Sequence, residues 1–439
     1  MSLENVTSGQ QTRALTNSTL AFTVCFAVWT IFSIIGIRIK QELGLSDTQF
    51  GILVATPILT GSLSRIFLGI WSDQYGGRLI YTIQMLITAV AAYMLTMAST
   101  YGIFLVAALG VGLAGGGFSV GITYVSKWYP KERQGTALGI FGMGNVGAAI
   151  TNFGAPFLLI AMAGKWQGVA QVYAVIMGIT AILFYIFSQD DPALRERREK
   201  GIKHESFREQ LDPLKHLQVW RFSLYYFFVF GAFVALALWL PRYYVGAYGL
   251  ELKTAGILAA CYALPGSIFR ALGGWLSDKV GARRVMYWTF FASIVCTFIL
   301  SYPATDYVVS GITGPIAFNI AIPLWFFVMT TIVLGFFMSL GKAAVYKHIP
   351  VYYPDNVGSV GGIVGLIGGL GGFVLPITFG VMNDFIGVWT SCFMLLTVIT
   401  AIALIWMHVS IGIMDRRQVP ELHGHRDLPE MEALHGLKT

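Results

Sequence analysis

Two arginines stand where an apolar chain can least accommodate charge. Arg65 opens the apolar part of "SRIFLGIWSDQYG" (64–76) and Arg270 that of "FRALGGWLSDKVG" (269–281), and each precedes an aspartate, Asp73 or Asp278, by eight residues. If these runs are membrane helices ending at the aspartates, a rise of about 1.5 Å per residue puts each guanidinium roughly 12 Å deep. A guanidinium never loses its charge there, and it is tolerated only when it faces protein or water and has a partner. Of the 22 Asp and Glu, none falls in the middle of an apolar run; all sit in loops, tails or run ends. The missing negative charge must then arrive with a ligand. The planar fork of guanidinium bonds oxygens two at a time, so a planar or tetrahedral oxyanion suits it better than a halide. Arginines that merely bond backbone carbonyls would not explain two at equal depth.

The elements that must hold them can be read from composition. The 439 residues are 56% hydrophobic and 12% charged, with mean hydropathy +0.67, too little polar surface for a soluble chain. No ten-residue alternation suggests a β-barrel. Twelve apolar spans are expected, near 18–38, 50–71, 79–98, 102–125, 135–161, 168–188, 222–244, 254–275, 284–302, 323–345, 357–381 and 387–409. The expected fold is all-α and integral to the membrane. It comprises a six-helix bundle (1–188), a cytoplasmic linker (189–221), a second six-helix bundle (222–410) and a cytoplasmic tail (411–439). The first span follows a polar stretch whose one basic residue is Arg13, and it lacks a small-residue cleavage site, so it reads as a retained helix.

Lysine and arginine set the orientation. With both termini cytoplasmic, twenty fall inside and five outside, the arrangement favoured by the positive-inside rule. The net charge of +7 largely reflects that asymmetry, which leaves no support for a nucleic-acid partner. The four cysteines, Cys25, Cys261, Cys296 and Cys392, fall in apolar runs without metal spacing, and the histidines lie mainly in loops and the tail. No metal, cofactor or enzymatic nucleophile is indicated.

A shift of 205 residues superposes Arg65 on Arg270 and Asp73 on Asp278, and also Gly61 on Gly266, Ser62 on Ser267, Gly69 on Gly274, Ser72 on Ser277, Gly76 on Gly281 and Arg78 on Arg283. This is a duplicated six-helix unit. An even number of spans separates the copies, so the halves run parallel about an axis along the membrane normal. Asp73, Arg78, Asp278 and Arg283 close the cytoplasmic turns after the arginine spans, where Asp and Arg can pair and lock a gate.

Two further segments carry weight. The fifth and eleventh spans, "GTALGIFGMGNVGAAITNFGAP" and "GSVGGIVGLIGGLGGFVLP", are glycine-rich enough for helices to approach closely and leave room for a small ligand. "MSLGKAAVYKHIPVYYP" (338–354) holds Lys342, Lys347 and His348. A lysine beside two fixed positive charges in a low-dielectric interior can give up a proton and so carry one. Lys347 and His348 can equally reach the cytoplasmic interface.

The paired G-x-x-S-D-x-x-G-x-R loops in a six-plus-six layout resemble the major facilitator superfamily, with Gln74 departing from a position where a basic residue is common. With the glycine spans added, the chain resembles the nitrate/nitrite porter family over essentially its whole length. The resemblance implies a monomeric secondary transporter of nitrate, and of nitrite, in the cytoplasmic (inner) membrane, working by alternating access. Arg65 and Arg270 would clamp the anion, with Phe118, Tyr226 and Phe230 as flat walls. Asn145, Gly144 and Gly369 would border the pocket. "GNVGAA" and the Lys342 segment look more like the nitrate/proton symport branch, with the proton as co-substrate, than the nitrate/nitrite exchange branch. Another small-oxyanion or organic-anion carrier remains the more distant alternative.

Overall fold

In a computed structural model of the chain, residues 6–192, 212–352 and 357–417 are described, except the side chains of 73, 131, 132, 134, 135, 212, 213, 350–352, 357–359 and 414–417. Most of the linker and of the tail expected from the sequence lies outside them. Among the described residues twelve helical runs are long and apolar enough to cross a membrane: α1 (Ser8–Leu43), α2 (Asp47–Ser72), α3 (Gly77–Leu95), α4 (Tyr101–Ser126), α5 (Thr136–Ala161), α6 (Trp166–Phe187), α7 (Leu217–Tyr248), α8 (Leu252–Val280), α9 (Ala282–Leu300), α10 (Leu324–Ile349), α11 (Val360–Ile386) and α12 (Ser391–Ile413). Large apolar side chains such as Val106, Phe291 and Phe298 stand exposed on the outer surface, as a lipid-facing rim requires.

Helix α1 starts ten residues before the expected span. Thr7 accepts from the Gln10 amide at 3.3 Å, and the Gln10 side chain accepts from the Thr7 amide at 3.0 Å. This capping box fixes where the helix begins, whereas hydropathy marks only where its apolar part begins.

Helix α2 of the first half lies along α11 of the second, and α5 lies against α8. A Cβ on Gly51 would stand 2.4 Å from the Pro376 carbonyl oxygen, so the α2 and α11 backbones touch. At that end the halves are also cross-linked by polar groups. Asp47 Oδ1 receives Lys40 Nζ at 3.1 Å and Arg242 Nη2 at 3.0 Å, and its Oδ2 receives Asn383 Nδ2 at 3.2 Å. Asp384 of α11 accepts from the backbone amides of Asp47 (3.1 Å) and Thr48 (2.7 Å), capping the start of α2 from the opposite half. A carboxylate at a helix N-terminus satisfies otherwise orphaned N–H groups and complements the dipole. Nearby, Ser33 Oγ donates to Asn152 Oδ1 at 2.7 Å, and Asn152 Nδ2 donates to the Ala237 carbonyl at 3.0 Å, a second polar link between halves.

Among the described residues five spans depart from regular α geometry in their interior, α1 by a break at Thr30 and Ile31. α4 tightens to a 3₁₀ turn at Leu113–Gly116 and α5 at Met143–Val146, α7 widens to a π turn at Phe227–Ala232, and α8 is interrupted at Leu264 and Phe269. Between α9 and α10, where the sequence reading placed no element, strands β1 (Thr305–Gly311) and β2 (Gly314–Ile320) pair antiparallel from Thr305 with Ile320 to Gly311 with Gly314. Gly314 has φ +138, a conformation open to glycine, which lets the two-residue loop close.

Candidate anion site between the halves

Arg65 of α2 and Arg270 of α8 are both buried, with 3% and 4% of their surface exposed. Both face one ring. The Arg65 guanidinium carbon lies 5.1 Å from the Phe118 centroid and that of Arg270 5.5 Å from it. Arg65 also lies 5.2 Å from Phe230 and 5.6 Å from Trp29, and Arg270 5.8 Å from Tyr346. Rings at this range supply quadrupole attraction to a cation without cancelling its charge. Arg65 Nη1 donates to the Gly365 carbonyl of α11 at 2.8 Å, so this arginine already spans the two halves. Arg65 Nη2 and Arg270 Nη1 are buried and, among the described residues, meet no acceptor. No acidic side chain among the described residues forms an ion pair with either arginine.

The rings form a box. Phe230 stacks on Phe118 at 6.4 Å, Tyr226 stacks on Phe230 at 5.0 Å and 8°, and Tyr346 stands edge-on to Tyr226 at 5.1 Å and to Phe118 at 6.3 Å. The π turn carries Phe230 into this stack immediately after Tyr226 ends a regular turn of α7. Gly142 of α5 faces Arg270 directly, since a Cβ there would meet its Nε at 2.8 Å. Gly369 faces Arg65 in the same way, with a Cβ position 3.3 Å from Nη1.

The structure thus brings together Arg65, Arg270, Phe118, Tyr226, Phe230 and Gly369. Asn145 is fully buried on the 3₁₀ turn of α5, which packs against the Pro265–Ile268 turn ahead of Arg270, and neither of its amide atoms has a partner among the described residues. Gly144 belongs elsewhere: a Cβ there would meet the Phe22 ring at 2.4 Å, so this glycine seats α1 one layer behind the aromatic wall and does not border the arginines.

Lys342 is fully buried on α10. Its Nζ donates to the Gly266 carbonyl at 2.6 Å and lies 3.1 Å above the Phe233 centroid, and Arg270 acts on it electrostatically. Gly266 sits in the interrupted stretch of α8, so Lys342 holds the backbone that presents Arg270. Lys347 does something different: its Nζ meets Asp278 Oδ1 at 2.5 Å, both side chains partly exposed, tying the ends of α8 and α10. His348 is buried, with Nδ1 2.8 Å from the Ala344 carbonyl and its ring edge-on to Phe222. Neither reaches the arginine pair.

Of the expected gate residues, Arg78 donates from Nε and Nη2 to the Tyr185 carbonyl at 2.9 and 2.7 Å and approaches Asp190 at 3.9 Å, tying α3 to the end of α6. Arg283 is buried and Asp278 meets Lys347, while the Asp73 side chain lies outside those described.

Sequence reasoning missed Trp29 and Tyr346. Tyr346 follows Lys342 by four residues and therefore shares its helix face, a usable signal. Trp29 carried none.

Residues 18–316 match the Major Facilitator Superfamily. A protein of Thermus thermophilus named as a probable nitrate/nitrite antiporter is 42% identical over 412 residues, covering 91% of each chain. The nitrite extrusion protein of Bacillus subtilis (strain 168) is 30% identical over 398 residues, covering 90% of this chain and 94% of its own. Among solved structures, a bacterial homolog to the human lysosomal transporter Spinster, inward-facing and occupied, superposes with a TM-score of 0.65 over 92% of this chain and 97% of that one, at 17% identity.

Proposed function

The chain belongs to the Major Facilitator Superfamily and, within it, to the nitrate/nitrite porter family, and from that premise we propose that it carries nitrate, and nitrite with it, across the cytoplasmic membrane by alternating access, both termini facing the cytoplasm. It is a carrier and not an enzyme. One observation carries the reading: two buried guanidiniums share the Phe118 ring, each with an unmet N–H group, and among the described residues no carboxylate pairs with either. A planar oxyanion supplies the missing charge and the missing acceptors together. Flat ring walls exclude water and limit thickness, which favours a flat ion.

Anion binding neutralises part of the arginine charge and lets the halves close, whereas the empty site repels itself. The ion thus acts by its differential affinity for the closed arrangement. The test is uptake by the purified chain in proteoliposomes. Arg65→Gln and Arg270→Gln each remove a charge-assisted clamp, and nitrate uptake is expected to fall by about a hundredfold for either. Uptake close to wild type in both would refute the clamp.

For coupling, the proposal is nitrate/proton symport with Lys342 as the proton-bearing group, because among the described residues it is the titratable cation buried against the backbone that presents Arg270. Lys347 is assigned to the cytoplasmic gate. Exchange of nitrate for nitrite is a second reading, favoured by the name of the Thermus thermophilus relative. Imposing a pH gradient, inside alkaline, should accelerate nitrate entry, and Lys342→Gln should abolish the acceleration. Entry indifferent to the gradient but stimulated by nitrite inside the vesicle would establish exchange instead.

A further inference from the structure

We infer that Ser62 is a third donor to the bound anion and sets the preference for an ion with three oxygens over one with two; the inference rests on the clamp reading of Arg65 and Arg270. The duplicated unit places a serine three residues before each arginine, Ser62 and Ser267, and on the unbroken α2 Ser62 shares the face of Arg65. Their surroundings differ. Ser267 Oγ donates to the Ala263 carbonyl of its own helix at 2.8 Å, which uses its proton. Ser62 is equally buried, yet no described residue hydrogen-bonds its Oγ.

The Ser62 hydroxyl, buried without a described partner beside a guanidinium that has an unmet N–H of its own, is available to donate to an anion. Its position says which. A Cβ on Gly369 would lie 2.5 Å from Ser62 Oγ and 3.3 Å from Arg65 Nη1, so the hydroxyl and the guanidinium flank one point on the α11 backbone. Nη1 is already engaged by the Gly365 carbonyl, which leaves Nη2 and the serine hydroxyl as the open donors on this side, with Nη1 of Arg270 on the other. A trigonal oxyanion offers three equivalent oxygens in a plane. Two are matched by the guanidinium pair, and the third faces the hydroxyl. A two-oxygen ion has only a recessed nitrogen lone pair where the third oxygen would stand, so Ser62 discriminates by the oxygen that the smaller ion lacks.

Half-saturating concentrations for nitrate and nitrite uptake, measured in proteoliposomes with wild type, Ser62→Ala and Ser267→Ala, test this. Ser62→Ala is expected to raise the nitrate value about threefold to tenfold, the range of one neutral hydrogen bond, with nitrite changed less than twofold. Ser267→Ala should leave the ratio of the two values at its wild-type level. A Ser62→Ala chain with an unchanged nitrate value, or one weakened equally for both ions, overturns the proposal. Wild type that transports neither ion overturns the clamp reading itself, and the serine assignment with it.

Discussion

A guanidinium held among Phe118, Phe230 and Trp29 keeps its charge but is denied a carboxylate, and its fork has one nitrogen fixed by Gly365 and another left open. That division of labour separates Arg65 from a simple positive charge. Arg65→Lys should therefore preserve the cation and still lower nitrate uptake at least tenfold, because a point-like ammonium lacks the planar fork that holds Gly365 with one nitrogen and presents another to a planar ion. Near-wild-type uptake by this variant would mean that charge alone is sufficient. The arginine pair was legible because a charge inside an apolar run is an anomaly, and its repetition at one spacing removes chance. The ring box was only partly legible. With 62 aromatic side chains in the chain, type and position do not separate Trp29 or Tyr346 from packing, and only three-dimensional approach to the arginines does so.

At the scale of helices, the two arginines are presented by irregularities. The 3₁₀ turns of α4 and α5, the π turn of α7 and the interruption of α8 lie beside Phe118, Asn145, Phe230 and Arg270 respectively. Departures of this kind inside helices leave backbone groups and side chains aimed where a regular helix would not aim them. Gly142 shows how tightly the result is fitted. Gly142→Ala puts a methyl group 2.8 Å from Arg270 Nε, so the guanidinium must move while the fold persists. We expect the half-saturating nitrate concentration to rise about tenfold with expression and thermal stability close to wild type, measurable in one series of uptake and melting assays. A collapse in stability would instead assign Gly142 to packing. The sequence marked both glycine spans but not which glycines face the site: Gly369 does, whereas Gly144 serves α1. The π turn had no sequence mark at all. The hairpin had one that passed unread, two β-branched runs about the Gly-Ile-Thr-Gly of residues 311–314.

For the whole molecule, the end of the bundle bearing Asp47 and Asp384 is locked by groups from opposite halves: Asp47 to Arg242 and Asn383, and Asp384 to the start of α2. Under the proposed alternating access this end must open, and opening strips α2 of its cap as well as breaking the ion pair. Asp384→Ala removes the cap in advance. In a background lacking the four native cysteines, Ala237→Cys, buried at the polar link to Asn152, should then react with a membrane-impermeant thiol reagent at least tenfold faster than with Asp384 present. Equal rates would show that the lock does not govern the equilibrium between the two arrangements. The six-plus-six layout was open to reading because the repeat is written twice. The lock was not, since Asp47 and Asp384 are 337 positions apart and look like ordinary end-of-helix carboxylates.

The β1–β2 hairpin follows nine crossings, and Ile312 at its tip is fully exposed. An odd number of crossings puts that tip and the amino terminus on opposite faces of the bilayer, whichever way the chain inserts. With the amino terminus cytoplasmic, as proposed, a short peptide epitope spliced between Ile312 and Thr313 would be stained by antibody without permeabilisation, while the same epitope at the amino terminus would be stained only after it; the reverse pattern would invert the proposed orientation.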